Sequence, residues 1–216
     1  MNKRSFFLAF LLSTISYTAF SQDYVSQKSS LGLNFGALSY SGRFAVGAGL
    51  ASHSSIYTSL VYRRRVWDNL YVRAELFGGR MRGDNRGVES QASKPTGTFQ
   101  SEIAEATVKA EYDLINLYRH KASPFINVGA GAYTLFNYSS SEGPKESKDK
   151  TGFTMPVGGG VKYRLNNRIK LLAEGNIRFF NKNLDNRTGT GINNPNKYYS
   201  FGLGVIYELQ PQNILW

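Results

Sequence analysis

From Ser30 onward the chain keeps returning to a period of two. Leu31, Leu33 and Phe35 alternate with Gly32, Asn34 and Gly36, and Ile56, Thr58, Leu60 and Tyr62 with Tyr57, Ser59, Val61 and Arg63. Leu70, Val72, Ala74 and Leu76 alternate with Tyr71, Arg73, Glu75 and Phe77. Ala104, Ala106, Val108, Ala110 and Tyr112 alternate with Glu105, Thr107, Lys109, Glu111 and Asp113. Successive side chains of a strand point to opposite faces, so each segment carries one apolar face and one small or polar face.

The second half repeats the pattern. Ile126, Val128, Ala130 and Ala132 alternate with Asn127, Gly129, Gly131 and Tyr133, and Phe153, Met155, Val157, Val161 and Tyr163 with Thr154, Gly158, Gly160 and Lys162. Ile169, Leu171, Ala173 and Ile177 alternate with Lys170, Glu174, Asn176 and Arg178. Tyr199, Phe201, Leu203, Val205, Tyr207 and Leu209 alternate with Ser200, Gly202, Gly204 and Glu208. Eight segments of about ten residues match a small membrane barrel, with lipid outside and a packed lumen inside.

The connections decide between a barrel and a soluble β-sandwich. Trp67 to Asn69, Asn116 to Ser123 and Leu165 to Arg168 are short links. Ser39 to Ala51, Met81 to Thr98, Asn137 to Thr151 and Asn181 to Asn196 are longer and rich in Gly, Ser, Asn and charge. Outer-membrane barrels put short turns in the periplasm and long loops outside, which requires this strict alternation. A sandwich has no reason to follow it. The expected fold is all-β, an eight-stranded antiparallel up-and-down transmembrane β-barrel.

Residues 1–21 read as a secretory signal peptide and 22–216 as the barrel domain. Lys3 and Arg4 precede the apolar run Phe6 to Leu12, and Ala19-Phe20-Ser21 places small residues at −3 and −1 of a cut before Gln22. Seven apolar residues are too few to cross ~30 Å of hydrocarbon as a helix. Loss of Lys3 and Arg4 lowers the formal charge from +11 to +9. The chain has no cysteine, which excludes an N-terminal lipid anchor, disulfides and thiolate metal sites. Tyr and Phe at 14 each, with 22 Gly and 6 Pro, favour strands and turns.

The lumen-facing positions carry both signs of charge: Arg73, Glu75, Glu105, Lys109, Glu111, Lys162, Lys170, Glu174, Arg178 and Glu208. An eight-stranded interior is just wide enough for side chains to fill, and buried charges must pair. A plugged, salt-bridged core is therefore expected rather than an ion conduit. The glycines of Gly129-Ala-Gly131, Gly158 to Gly160 and Gly202-Leu-Gly204 lie within strands, where they relieve crowding; they are not nucleotide loops.

No catalytic, metal or cofactor site is expected. The only histidines, His53 and His120, are far apart. His53 and Ser55 share a face if extended, as in some lipid A deacylases. No orienting acid or oxyanion site accompanies them.

The basic excess gathers at both strand ends rather than in a nucleic-acid patch. Arg63, Arg64, Arg65, Arg119, Lys121, Arg164 and Arg168 fall near the periplasmic turns, opposed by Asp68 and Asp113. Arg80, Arg82, Arg86, Lys145, Lys148 and Lys150 fall on the outer loops. Cations at the two headgroup levels suit anionic phospholipid inside and lipopolysaccharide outside.

Three runs carry a family resemblance: Phe99-Gln-Ser-Glu-Ile-Ala-Glu through Ala110-Glu-Tyr-Asp-Leu, Ser123-Pro-Phe-Ile-Asn-Val-Gly-Ala-Gly-Ala-Tyr, and Arg73-Ala-Glu-Leu-Phe-Gly-Gly-Arg-Met-Arg-Gly-Asp. With the cut before glutamine, they resemble a family of small outer-membrane barrels of Bacteroidota, of the OmpA/OmpX-like kind. That family includes the type IX secretion component PorG. The resemblance implies a non-enzymatic barrel of the cell outer membrane that scaffolds or docks a periplasmic or secretion-linked assembly, its protein partner meeting the basic rim. The alternative expectation is a surface adhesion or membrane-sealing barrel with ligand-binding outer loops.

Overall fold

The computed structural model describes residues 29–41, 55–84, 98–117, 120–140, 151–180 and 197–209. The eight strands are β1 (Ser29–Ser41), β2 (Ser55–Arg65), β3 (Leu70–Asp84), β4 (Thr98–Asp113), β5 (Ala122–Ser140), β6 (Thr151–Arg164), β7 (Ile169–Phe180) and β8 (Lys197–Glu208). Each pairs antiparallel with its sequence neighbour, and β1 pairs with β8 to close the barrel. The signal segment, residues 1–21, lies outside the described residues.

Registers fix the geometry. The pairs Ser29–Arg64, Arg64–Val72, Val72–Ala110 and Ala110–Val128 continue through Val128–Val157, Val157–Ile177 and Ile177–Tyr199 to Tyr199–Ser39. One circuit thus returns to β1 ten residues higher, from Ser29 to Ser39. That rise, set against eight strand spacings, tilts the strands by about 40°.

At this tilt, Tyr62, Tyr112, Tyr163 and Tyr207 come to within roughly 8 Å of one level, all exposed. Phe153, Phe179 and Tyr199 lie roughly 20 Å above them. Between these rows the outside is apolar: Leu33, Leu60, Val108, Val128, Val157 and Leu203 are all exposed. An apolar band about 25 Å tall between aromatic girdles is what a membrane barrel presents to lipid. Lower-ring hydroxyls reach polar partners, Tyr62 with Ser29 Oγ at 3.0 Å and Tyr207 with Arg168 Nη1 at 3.1 Å.

The short turns are built locally. In Leu165–Arg168, Asn166 Oδ1 accepts from the backbone N–H groups of Arg168 and Ile169, both at 2.8 Å, closing an Asx turn. The β4–β5 link is tied to β5, where the Ser123 hydroxyl donates to the Ile115 carbonyl of the link at 2.6 Å.

Strands run further outward than the alternation predicts. Ser39 to Ser41, Met81 to Asp84 and Asn137 to Ser140, expected in loops, belong to β1, β3 and β5. In β5 the pattern breaks because a bulge between Phe136 and Ser139 shifts the register against Glu102 and Gln100 of β4. Asn137 there takes a φ of 49°, a left-handed conformation asparagine tolerates.

Gly202 shows how tightly strand and lumen are matched. It faces Gly36 across the closing seam, and a Cβ on Gly202 would meet the Tyr57 ring, with Cζ at 2.9 Å, and the Phe35 carbonyl at 2.6 Å. The Tyr57 ring occupies the space the two glycines leave, stacked on Phe77 at 4.8 Å.

Candidate functional site

The alternate positions of the eight strands put six cations (Arg63, Arg73, Lys109, Lys162, Lys170, Arg178) and six carboxylates (Glu75, Glu105, Glu111, Asp113, Glu174, Glu208) inside the barrel, all buried. The ten charges expected in the lumen are among them. The described lumen is formally neutral, the condition under which so many buried charges are tolerable.

Arg73 is the hub. Its Nη1 donates to Glu174 Oε2 at 2.7 Å and to Glu111 Oε2 at 3.3 Å, and its Nη2 to Glu75 Oε2 at 3.1 Å. Lys109 Nζ joins Glu75 Oε2 at 2.6 Å, while Asn127 and Asn176 donate to Glu174 Oε1 at 3.2 and 2.7 Å. Towards the periplasm, Glu111 Oε1 accepts from Arg63 Nη2 at 2.5 Å and Lys162 Nζ at 2.6 Å. Lys162 also pairs with Asp113, and Lys170 with Glu208 at 2.7 Å. Towards the outside, Arg178 Nε donates to Glu105 Oε1 at 3.1 Å and Nη2 to Glu75 Oε1 at 3.3 Å. Arg178 Nη1 also donates to Ser200, and the Tyr198 hydroxyl to Glu105.

Arg63 and Asp113, inward in the alternation and grouped by charge with the basic and acidic residues near the periplasmic turns, lie at that end of the barrel but inside it. Both fall at inward parity in their strands and are buried in the network. Within Arg63-Arg64-Arg65, composition suggests one basic rim cluster, but strand parity separates Arg63 from the exposed Arg64.

Above the charges sits an apolar plug that the sequence reading missed. Leu38, Tyr57, Phe77, Met81, Ile103, Tyr133, Leu135, Phe180 and Tyr198 form one buried cluster. Tyr133 meets Phe180 edge-on at 4.5 Å, Phe180 lies 5.0 Å from Tyr198, and the Arg178 guanidinium sits 4.1 Å over Phe77. The missed signal was parity itself: Met81, Leu135 and Phe180 continue the inward series of β3, β5 and β7. A smaller cluster of Phe125, Leu172 and Ile206 lies lower in the barrel. The described interior is filled by side chains, as expected of eight strands.

At the periplasmic end Arg64, Lys121 and Arg168 are exposed, with Arg65 and Arg164 half-buried and Asp68 the one carboxylate in the described parts of the short links. Arg119 lies outside the described residues. At the outer end, Arg80 and Arg82 are exposed side chains of β3 rather than loop residues. Arg80 Nη2 pairs with Glu102 Oε1 at 2.7 Å, and Arg82 Nε donates to Gln100 Oε1 at 3.3 Å. Arg86, Lys145, Lys148 and Lys150 lie outside the described residues.

The histidine–serine pair is not brought together within the described residues. Ser55 opens β2 at the outer end and His53 lies outside them, while His120 is exposed in the β4–β5 link at the opposite end. Among the described residues no three metal-ligating side chains cluster.

No protein-family profile matches this sequence, and no curated protein does so significantly. Solved structures do match. Neisserial surface protein A is 13% identical with a TM-score of 0.51, the match covering 84% of this chain and 96% of that one. The outer membrane protein OprG from Pseudomonas aeruginosa is 11% identical with a TM-score of 0.50, covering 85% and 96%. The likeness is one of fold, the small outer-membrane β-barrel. With the apolar belt and girdles, it makes this chain an integral barrel of the outer membrane.

Proposed function

We propose that the chain is a non-enzymatic barrel of the outer membrane whose periplasmic rim docks a periplasmic or secretion-linked assembly of the type IX kind. One observation carries this reading. Among the described residues the lumen charges balance and side chains fill the interior, so surplus charge is left to the rims, and the short links set the exposed Arg64, Lys121 and Arg168 against the one carboxylate Asp68. An exposed basic ring of this kind suits an acidic periplasmic partner and steers its approach. Anionic phospholipid of the inner leaflet meets the same ring.

The test is co-purification from solubilised outer membrane of wild type and a Lys121→Glu, Arg168→Glu double variant. Both substitutions are exposed and leave the lumen network intact. The reading expects a defined periplasmic complex with wild type, weakened by salt and lost in the double variant. Equal recovery of the same proteins with both would refute docking at this rim. The second reading, a surface adhesion or membrane-sealing barrel, expects instead that whole-cell binding to host matrix depends on the outer loops and is indifferent to both rim charges.

A further inference from the structure

Above the membrane midplane, the outward face of β2 to β5 changes character. Thr58, Gly78, Ala104 and Thr134 are consecutive register partners across these strands, and the row beneath is Leu60, Leu76, Ala106 and Ala132. On other strands, outward positions at this depth carry Phe153, Phe179 or Met155. The outcome is a groove of about 680 Å³, walled by Leu33, Leu60 and Leu76 on one side and by Ala106 and Ala132 on the other. Gly78 opens its floor: a Cβ built there would meet no atom within 4 Å. The Thr58 hydroxyl is already spent on the Asn34 carbonyl at 3.2 Å.

One outward position higher on the same four strands stand Ile56, Arg80, Glu102 and Phe136. With Arg82 they line a second cavity of about 630 Å³ at the outer end of the groove. At the tilt derived above, Leu60 lies near the midplane and Arg80 and Arg82 roughly 13–18 Å higher, just beyond the upper aromatic girdle. Among the described residues the head of the groove carries a surplus positive charge. Glu102 is occupied by Arg80 and by Asn137 Nδ2, which donates to its Oε2 at 2.7 Å. Arg82 has only the neutral Gln100 as partner among the described residues.

We propose that this groove holds one phosphorylated acyl lipid of the outer leaflet, lipid A, with an acyl chain along Gly78 and a phosphate on Arg82 beside Arg80. The proposal rests on the outer-membrane placement given above. The groove's depth calls for an apolar chain. Its head calls for an anion, and guanidinium groups take phosphate oxygens through paired N–H donors. The groove runs outward from the midplane to a head beyond the upper girdle, which selects lipid A over the anionic phospholipids of the inner leaflet.

The full mature chain is folded into phosphatidylcholine nanodiscs containing equal small amounts of lipid A and phosphatidylglycerol, extracted in mild detergent, and weighed by native mass spectrometry. Gly78→Leu fills the groove from its floor, and Arg82→Gln removes the cation paired only with neutral Gln100 among the described residues, at an exposed position. Wild type is expected to retain one lipid A, with retention falling about tenfold in Gly78→Leu and severalfold in Arg82→Gln. Equal retention by all three overturns the site, and so does equal retention of phosphatidylglycerol. A dimer mass abolished by Gly78→Leu would assign the groove to a second copy of the chain instead. Heat-modifiable mobility, read on the same samples, reports insertion separately: an unfolded wild type refutes the membrane reading itself, and a folded wild type without lipid A refutes only this site.

Discussion

Replacing Arg73 by alanine is expected to lower the stability of the folded barrel by about 3–5 kcal/mol, much of what a domain of this size has to lose. Arg73 holds Glu174 at 2.7 Å, Glu75 at 3.1 Å and Glu111 at 3.3 Å, all four side chains being buried. Among the described residues its removal leaves six buried carboxylates facing five buried cations. The destabilisation comes from that uncompensated charge rather than from lost contact area. Removing Glu174 as well restores neutrality, so the Arg73→Ala, Glu174→Ala double variant should be more stable than the two single losses added together predict. A coupling of about 0.5–3 kcal/mol is the expected size for charges in direct contact. Urea titration in liposomes, followed by intrinsic fluorescence, measures all four corners of the cycle. Strict additivity would show that the network is not the source of the cost.

Arginine in place of Val108 is expected to cost about 2–4 kcal/mol by the same titration. Val108 is 59% exposed on the outside of β4 and lies close to the middle of the apolar band. There a guanidinium meets hydrocarbon and must drag water or headgroups to it. Tyr112, on the same face of the same strand, belongs to the lower girdle, where an arginine reaches the interface at a cost of about 0–1 kcal/mol. The difference between the two sites is the informative quantity. Equal costs at 108 and 112 would mean that the band is not where the girdles place it.

Facing was the most legible property of this sequence. In β4 the series Glu105, Thr107, Lys109, Glu111 is set by parity alone, and each of these residues is buried. Strand length was less legible, because the alternation is local whereas closure is global. A circuit that climbs ten residues obliges the strands to extend beyond the stretch where apolar and polar residues alternate cleanly. Met81 therefore falls in an expected loop and Leu135 beyond the alternating series of β5, and the outer plug went unseen. The expectation of a small or polar interior also hid Leu38, Ile103 and Phe180, which pack with Phe77 and Tyr198 in the outer lumen beside Arg178 and Glu105. The groove beside Gly78 could not be read from any one strand. It exists because small residues of four strands fall into register, and register is not written in any single segment.

Spin labels at four adjacent pairs test the central claim, a lipid-facing barrel with a filled lumen, and the absence of cysteine makes single labelling direct. The pairs are Ser59 and Leu60, Thr107 and Ala106, Asn127 and Val128, and Ser200 and Phe201. The first of each is buried and the second exposed. In bilayers, every second member should collide with oxygen dissolved in the hydrocarbon. The first members should be reached neither by oxygen nor by a water-soluble nickel chelate. Chelate access at Ser59, Thr107, Asn127 and Ser200 would reveal a water-filled channel, and equal oxygen access within each pair would contradict the barrel altogether.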